Sequence, residues 1–350
     1  MWMNDYYWDL EVYSFAVDSY LRSENPYLNR IGFDFLYHPL VLLALVKLNS
    51  LIHIGYLVPL LIMLSLYFYL RVFFEGVSKK WRNKSDLLRI FMLFMGFLGW
   101  GYLGVVSGNL SMLGHLTIQS IFFLYIKKKG LVYLILFTIL VGLFAIIKPY
   151  FLAYLVMFLM VKRRVASFNI VFLIFFTLSA WFYGARIFPS MYQSFLTNLN
   201  SGTFSNEDLG LTLFSVLYPH VGLLKAIIVH TVLIGVCMWV YCIRIKNSNS
   251  ISQFVWLSVI SILANPRVKE YDLVLLLLLY FVLIYRQNKL NLKISINLLS
   301  NLNILCALCS SFLVLTTDLS VNYVLICGVA FVIYSIYKNA LVLESALKAL

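Results

Sequence analysis

The chain has 350 residues, 62% hydrophobic and only 12% charged, with a mean hydropathy of +0.91. Soluble domains carry about 25% charged residues. A deficit of that size, spread over apolar runs of about 20 residues, excludes a soluble fold and predicts an all-α, polytopic transmembrane protein. The runs are too long and too uniformly apolar for the alternating strands of an outer-membrane barrel. The net charge of +13 does not point to nucleic acid, because most bases sit in short loops between apolar runs. There they set topology and meet anionic head groups.

In chain order, residues 1–35 hold six carboxylates (Asp5, Asp9, Glu11, Asp18, Glu24, Asp34) against two bases, Arg22 and Arg30. Asp9 and Tyr13 stand four residues apart, so on a helix they share a face. An apolar piece at 39–49 is too short to span a membrane and reads as an amphipathic helix in the interface, with Lys47 snorkelling. Spans are expected at roughly 54–75, 88–106, 109–126, 131–147, 149–162, 167–184, 222–243, 252–265, 271–286, 300–316 and 320–337, eleven in all. The segment 185–221 reads as an outer loop with a polar, flexible core (Asn198, Asn200, Ser201, Gly202, Asn206, Glu207, Asp208) and a short apolar piece at 211–219. The whole is one membrane domain: outer loop 1–53, spans 54–184, outer loop 185–221, spans 222–350.

Charge then sets the sides. With eleven alternating spans, every basic cluster falls on one side: Lys79 to Arg89, Lys127 to Lys129, Lys162 to Arg164, Arg244 and Lys246, Arg286 to Lys293, and Lys338. By the positive-inside rule that side is the cytoplasm. Eleven of the fourteen carboxylates fall on the other side. The N-terminus is therefore expected outside and the C-terminus inside. No cleavable signal peptide is visible, so an outside N-terminus leads one to expect a further span upstream of Met1.

Ionisable groups near the membrane mark functional sites by default. Lys148, before Pro149-Tyr150, lies at an outer end against the positive-inside trend; it reads either as a snorkelling cation or as a ligand for a lipid phosphate. The outer turn at 265–272 holds Arg267, Lys269, Glu270, Tyr271 and Asp272, and arginine suits bidentate phosphate binding. Asn109 reads as a plain N-cap or as part of an anion or sugar site at a helix start. Ser111 and His115 share a face below it. Asp9 reads either as a solvated surface carboxylate or as a general base, with Asp5 and Glu11 as rivals. The five histidines have no metal-ligand spacing, and no nucleotide or hydrolase motif is present. Cys306 and Cys309 form a C-x-x-C inside a span, with no second pair, and read as buried small hydrophobes.

Asp9-x-x-Val12-Tyr13, then Asn25-Pro26-Tyr27, then Tyr37-His38-Pro39-Leu40, resembles the first outer loop of glycosyltransferase family 87. The resemblance continues at Gly108-Asn109, at Lys148-Pro149, and at Pro266-Arg267 with Tyr271-Asp272, an ordered set over about 270 residues on one expected membrane face. Ser23-Glu24 departs from the family's small-residue element, Asn109 stands where glutamine is commoner, and the family has a span before its aspartate. The resemblance implies a GT-C-like fold and transfer of a sugar, with inversion, from a polyprenyl-phosphate donor to a glycan or glycolipid hydroxyl on the outer face of the cytoplasmic membrane. It implies Asp9 as general base, its pKa raised modestly by partial burial under helix 39–49. Lys148 and Arg267 would meet the donor phosphate, and Tyr13, Asn109, His115 and Tyr271 would complete the substrate site. Without a D-x-D pair no metal or other cofactor is expected. The alternatives are a polysaccharide polymerase or a flippase for lipid-linked sugars, which would need outer-loop arginines or a charged central path, and an assembly subunit without a cavity.

Overall fold

The computed structural model describes residues 8–28, 35–74, 104–105, 107–202 and 213–265, together with 272, 274–276, 278–280 and 282–283. Among these residues the chain is overwhelmingly helical and has no strand. Four helices are long and apolar enough to cross a membrane: Ile54–Phe73, Leu110–Lys128, Arg163–Ile187 and Leu223–Ile245. The spans expected at 131–147, 149–162 and 252–265 are apolar helices too, Leu131–Ile147, Pro149–Met160 and Ser250–Leu263, but shorter. The spans expected at 300–316 and 320–337 lie outside the described residues, as does most of that at 88–106, whereas the described residues of 271–286 are helical.

The chain divides into two compact units: Met1–Phe68, Leu103–Leu155 and Val161–Asp208 form one, and Tyr69–Tyr102, Val156–Met160 and Leu209–Leu350 the other. The first begins with α1, Trp8–Leu21. The sequence reading placed Asp9 in a loop; the structure places it in the first turn of this helix. No glycine or proline interrupts the stretch, Asp9 and Glu11 favour a helix start, and Leu10, Tyr13, Ala16 and Val17 form a buried stripe. Helix α2, Pro39–Asn49, matches the expected one-faced helix. Proline opens it, and His38 Nδ1 accepts from the Leu40 amide at 3.2 Å. Its buried face, Val41, Leu42 and Leu45, packs among neighbours of this unit, while Lys47 stays exposed. Helix α3, Ile54–Phe74, follows.

Helix α4, Leu110–Lys128, is the most buried of the membrane-length helices. Lys129 closes it in the left-handed region, its amide donating to the Tyr125 carbonyl, and Gly130 starts α5, Leu131–Ile147. So short a connection forces the two into an antiparallel hairpin. Pro149 ends α5 and opens a 3₁₀ helix, Pro149–Met160. A 3₁₀ helix has three residues per turn, and Phe151, Tyr154 and Met157, at that spacing, are fully buried. Twelve residues at about 2.0 Å each reach some 24 Å, short of the roughly 30 Å of a bilayer core. Helix α6, Arg163–Ile187, packs on α5. Gly142 allows the approach, because a Cβ there would come within 2.7 Å of Phe176.

Helix α7, Pro189–Gly202, corrects the expected flexible loop. Asn198, Asn200, Ser201 and Gly202 are helical, whereas 206–208 lie outside the described residues. Asn198 is buried and donates to the Tyr27 carbonyl at 2.7 Å, so its polarity serves a contact rather than solvent. The described helices of the second unit are α8, Leu213–Val221, α9, Leu223–Val240, which continues through a π-turn at Tyr241–Ile245, and α10, Ser250–Leu263. Within that unit Trp256 Nε1 donates to the Cys237 carbonyl at 3.0 Å, tying α10 to α9.

Candidate active site

The α4–α5 hairpin brings the start of one helix beside the end of the other. Orphan amides gather at the start of α4 and orphan carbonyls at the end of α5, so the first attracts anions and the second cations. Asn109 caps α4: its Oδ1 accepts from the Ser111 amide at 2.8 Å and more weakly from that of Met112 at 3.4 Å. Its Nδ2 donates to Asp9 Oδ2 at 2.7 Å. Asn109 is therefore both an N-cap and the group that orients the carboxylate. The two readings of this residue are compatible because an amide has a separate donor and acceptor.

The position of Asp9 is fixed by backbone as well. The Leu10 amide donates to the Ser107 carbonyl at 3.1 Å, which docks the first turn of α1 on the turn ahead of α4. Gly108 makes this approach possible twice over. Its φ is +71°, and a Cβ on it would collide with the Leu10 side chain. Asp9 is half-buried, whereas its rival Glu11 is exposed; Asp5 lies outside the described residues.

Lys148 is the C-cap residue of α5. Its Nζ donates to Ser111 Oγ at 2.7 Å and lies 5.7 Å from the centre of the Tyr37 ring, a cation–π distance. A snorkelling lysine would turn away from the protein; this one turns in. The Tyr37 hydroxyl is 2.9 Å from that of Tyr13, and the two rings meet edge to face. Tyr27 Oη donates to the Tyr37 carbonyl at 2.7 Å. The Tyr27 amide in turn donates to Asn25 Oδ1 at 3.0 Å, and Asn25 Nδ2 to Ser194 Oγ of α7 at 3.1 Å. Burial holds the Tyr27 phenol well above its usual range, so it stays a donor.

One turn below Ser111 on the same face, His115 Nδ1 lies 2.7 Å from Tyr154 Oη, and Gln119 Nε2 donates to that oxygen at 2.9 Å. Tyr150 and Phe151 flank the imidazole. Five residues singled out in the sequence, Asp9, Tyr13, Asn109, His115 and Lys148, thus belong to one cluster at one end of the hairpin. Arg267 and Tyr271 lie outside the described residues. Sequence reasoning gave no role to Gln119 or Tyr154. Gln119 follows His115 by four residues and carried a readable signal, a third polar residue on one face of an apolar helix. Tyr154 carried none, because its register depends on the 3₁₀ helix, which the pattern did not predict.

His38 completes the surroundings. It is buried against Trp181, Tyr192 and Phe195, and a Cβ on Gly184 would strike its ring. Burial pushes its pKa down to about 4, with the Trp181 backbone offsetting part of the shift. His38 is therefore neutral and structural at ordinary pH. Chemically, the cluster offers an oriented carboxylate at the positive end of one helix and an ammonium at the negative end of its partner, separated by hydroxyls and aromatic rings. No protein-family model, no curated protein and no solved structure matches the chain.

Proposed function

We propose that the chain is a membrane glycosyltransferase that moves a sugar from a polyprenyl-phosphate carrier to an acceptor hydroxyl, with inversion. In this reading it has a GT-C-like architecture of about eleven spans, and the α1 end of the hairpin faces outward from the cytoplasmic membrane. The observation that carries the reading is the pairing of Asp9 with Asn109 and of Lys148 with Ser111, two residues apart at the start of α4. An inverting transfer needs one base and one cationic leaving-group site, and the cluster holds one of each.

In the proposed step the acceptor oxygen attacks the anomeric carbon as the bond from that carbon to the phosphate oxygen breaks. The acceptor's proton passes to the Asp9 carboxylate, which Asn109 holds in line. Polyprenyl phosphate leaves as a stable anion, so no general acid is required. Lys148 stabilises the departing charge. Tyr13 fixes the Tyr37 ring under the ammonium. The carrier chain lies in the bilayer beside the hairpin, and the acceptor is a glycan or glycolipid.

The test is transfer from radiolabelled polyprenyl-phosphate hexoses by the purified full-length chain and by Asp9→Asn. Asparagine keeps an oxygen for the Asn109 amide but cannot take a proton. Donor binding and thermal stability are expected to stay near wild type while the rate falls about a hundred- to ten-thousandfold. Transfer by Asp9→Asn within a few fold of wild type would remove Asp9 from the mechanism. Loss in Glu11→Gln instead would move the base to Glu11.

A further inference from the structure

We propose that His115 and Gln119 form a slot for one hydroxyl of the sugar on the donor lipid, an assignment that rests on the transferase reading above. Both side chains are fully buried. They lie one turn apart on α4, on the face that carries Ser111. Each uses one atom on Tyr154: Gln119 Nε2 donates to the phenol oxygen, and His115 Nδ1 lies 2.7 Å from it. A phenol has one proton to give. With its oxygen accepting from Gln119, we assign that proton to His115 Nδ1, the tautomer in which the neutral imidazole carries its own proton on Nε2.

What remains is one N–H donor, His115 Nε2, and one carbonyl acceptor, Gln119 Oε1. Both are buried and have no hydrogen-bond partner among the described residues. Buried polar atoms are nearly always paired, so two orphans held by one tyrosine mark a place for a missing group. That group must accept from the imidazole and donate to the amide. A phosphate or carboxylate has no proton for the carbonyl, and an ammonium cannot accept from Nε2. A hydroxyl does both.

The surroundings favour a sugar hydroxyl over an isolated water. The slot lies one to two turns below the Ser111–Lys148 contact, where the donor phosphate is placed. The ring of Tyr150, which is only partly buried and stacks beside His115, offers an apolar surface for the C–H side of a pyranose. This ring rides on the 3₁₀ helix, whose hydrogen-bond geometry is poorer than an α-helix's.

The experiment uses the full chain in nanodiscs, radiolabelled polyprenyl-phosphate hexoses, and the monodeoxy analogues of the hexose that binds. One monodeoxy donor is expected to bind and react roughly tenfold or more worse than its parent, since a site built to hydrogen-bond a hydroxyl rejects the analogue lacking it. In His115→Phe/Gln119→Leu that gap is expected to close to about twofold. Gln119→Met, similar in length and keeping the imidazole, reports the acceptor half if the double variant does not fold. If the folded variants discriminate as wild type does, or if wild type ignores every deoxy change, the slot holds water only and the proposal falls while the transferase reading stands. If wild type neither binds nor transfers any polyprenyl-phosphate hexose, the transferase reading falls, and the sugar assignment with it.

Discussion

Lys148 separates two kinds of lysine found near membranes. One extends its stem to reach water. The other is drawn inward by partners, and here Ser111 Oγ at 2.7 Å and the Tyr37 ring are those partners. Lys148→Met keeps the stem and removes the charge. Loss of a charged hydrogen bond costs about 1.5–3 kcal/mol, so the donor KM is expected to rise by roughly ten- to a hundredfold. A change confined to the acceptor KM would place the phosphate elsewhere. His38 gives the pH dependence. Its folded pKa, about 4, lies below the ordinary 6.5, so the unfolded chain binds a proton that the folded chain refuses. Its contribution is complete above pH 6.5 and is lost as pH falls toward 4, by at most about 3 kcal/mol. Thermal unfolding between pH 7.5 and 4.5 is expected to show this acid limb, and His38→Asn, which keeps a cap acceptor for Leu40, to flatten it. An unchanged limb would assign acid sensitivity to other groups.

At the scale of elements, the site is a consequence of how α1 docks on the turn before α4. The Leu10–Ser107 hydrogen bond and the missing side chain at Gly108 set that contact. In Gly108→Ala the new methyl meets Leu10, and the backbone must hold alanine at a positive φ. Each effect costs about 1–3 kcal/mol. Because the clash falls on Leu10, the neighbour of Asp9, transfer is expected to fall more than the melting temperature does. Measuring both in the same preparation separates displacement of α1 from general destabilisation. If Gly108→Ala transfers at the wild-type rate, α1 does not need this docking to present Asp9.

For the whole molecule, four described helices are of membrane length, and the exposed faces of α6 and α9 are almost wholly apolar, as lipid-facing surfaces are. The side on which the site opens follows from charge. Lys127 to Lys129 stand at the far end of the hairpin from Asn109 and Lys148, and the proposed reading, by the positive-inside rule, has the cluster facing outward. Single cysteines at 200 and 268 are expected to label in intact cells, and those at 82, 128 and 290 only after permeabilisation. Outside labelling at 128 would invert the hairpin and place the carboxylate in the cytoplasm.

Composition and period alone determined that the chain is helical, with helices long and apolar enough to cross a membrane. They also fixed α2 to the residue, because Pro39 and the polar end at Asn49 bracket a one-faced apolar run. Asn109, His115 and Lys148, set against this apolar background, were legible because polarity is costly there and so informative, whereas Asp9 and Tyr13 were singled out by the family-like pattern around them. Tertiary structure decided the rest. The helical state of Trp8–Leu21 and Pro189–Gly202 depends on burial of Leu10, Tyr13, Phe195 and Asn198 against elements distant in sequence. The 3₁₀ register that brings Tyr154 to His115 and Gln119 has no pattern of its own, since apolar residues fill every position of 149–160. Which polar residue meets which was likewise undetermined. Asp9 and Asn109 are a hundred residues apart, and the short hydrogen bond that joins them exists only once the hairpin, the turn at Gly108 and α1 are all in place.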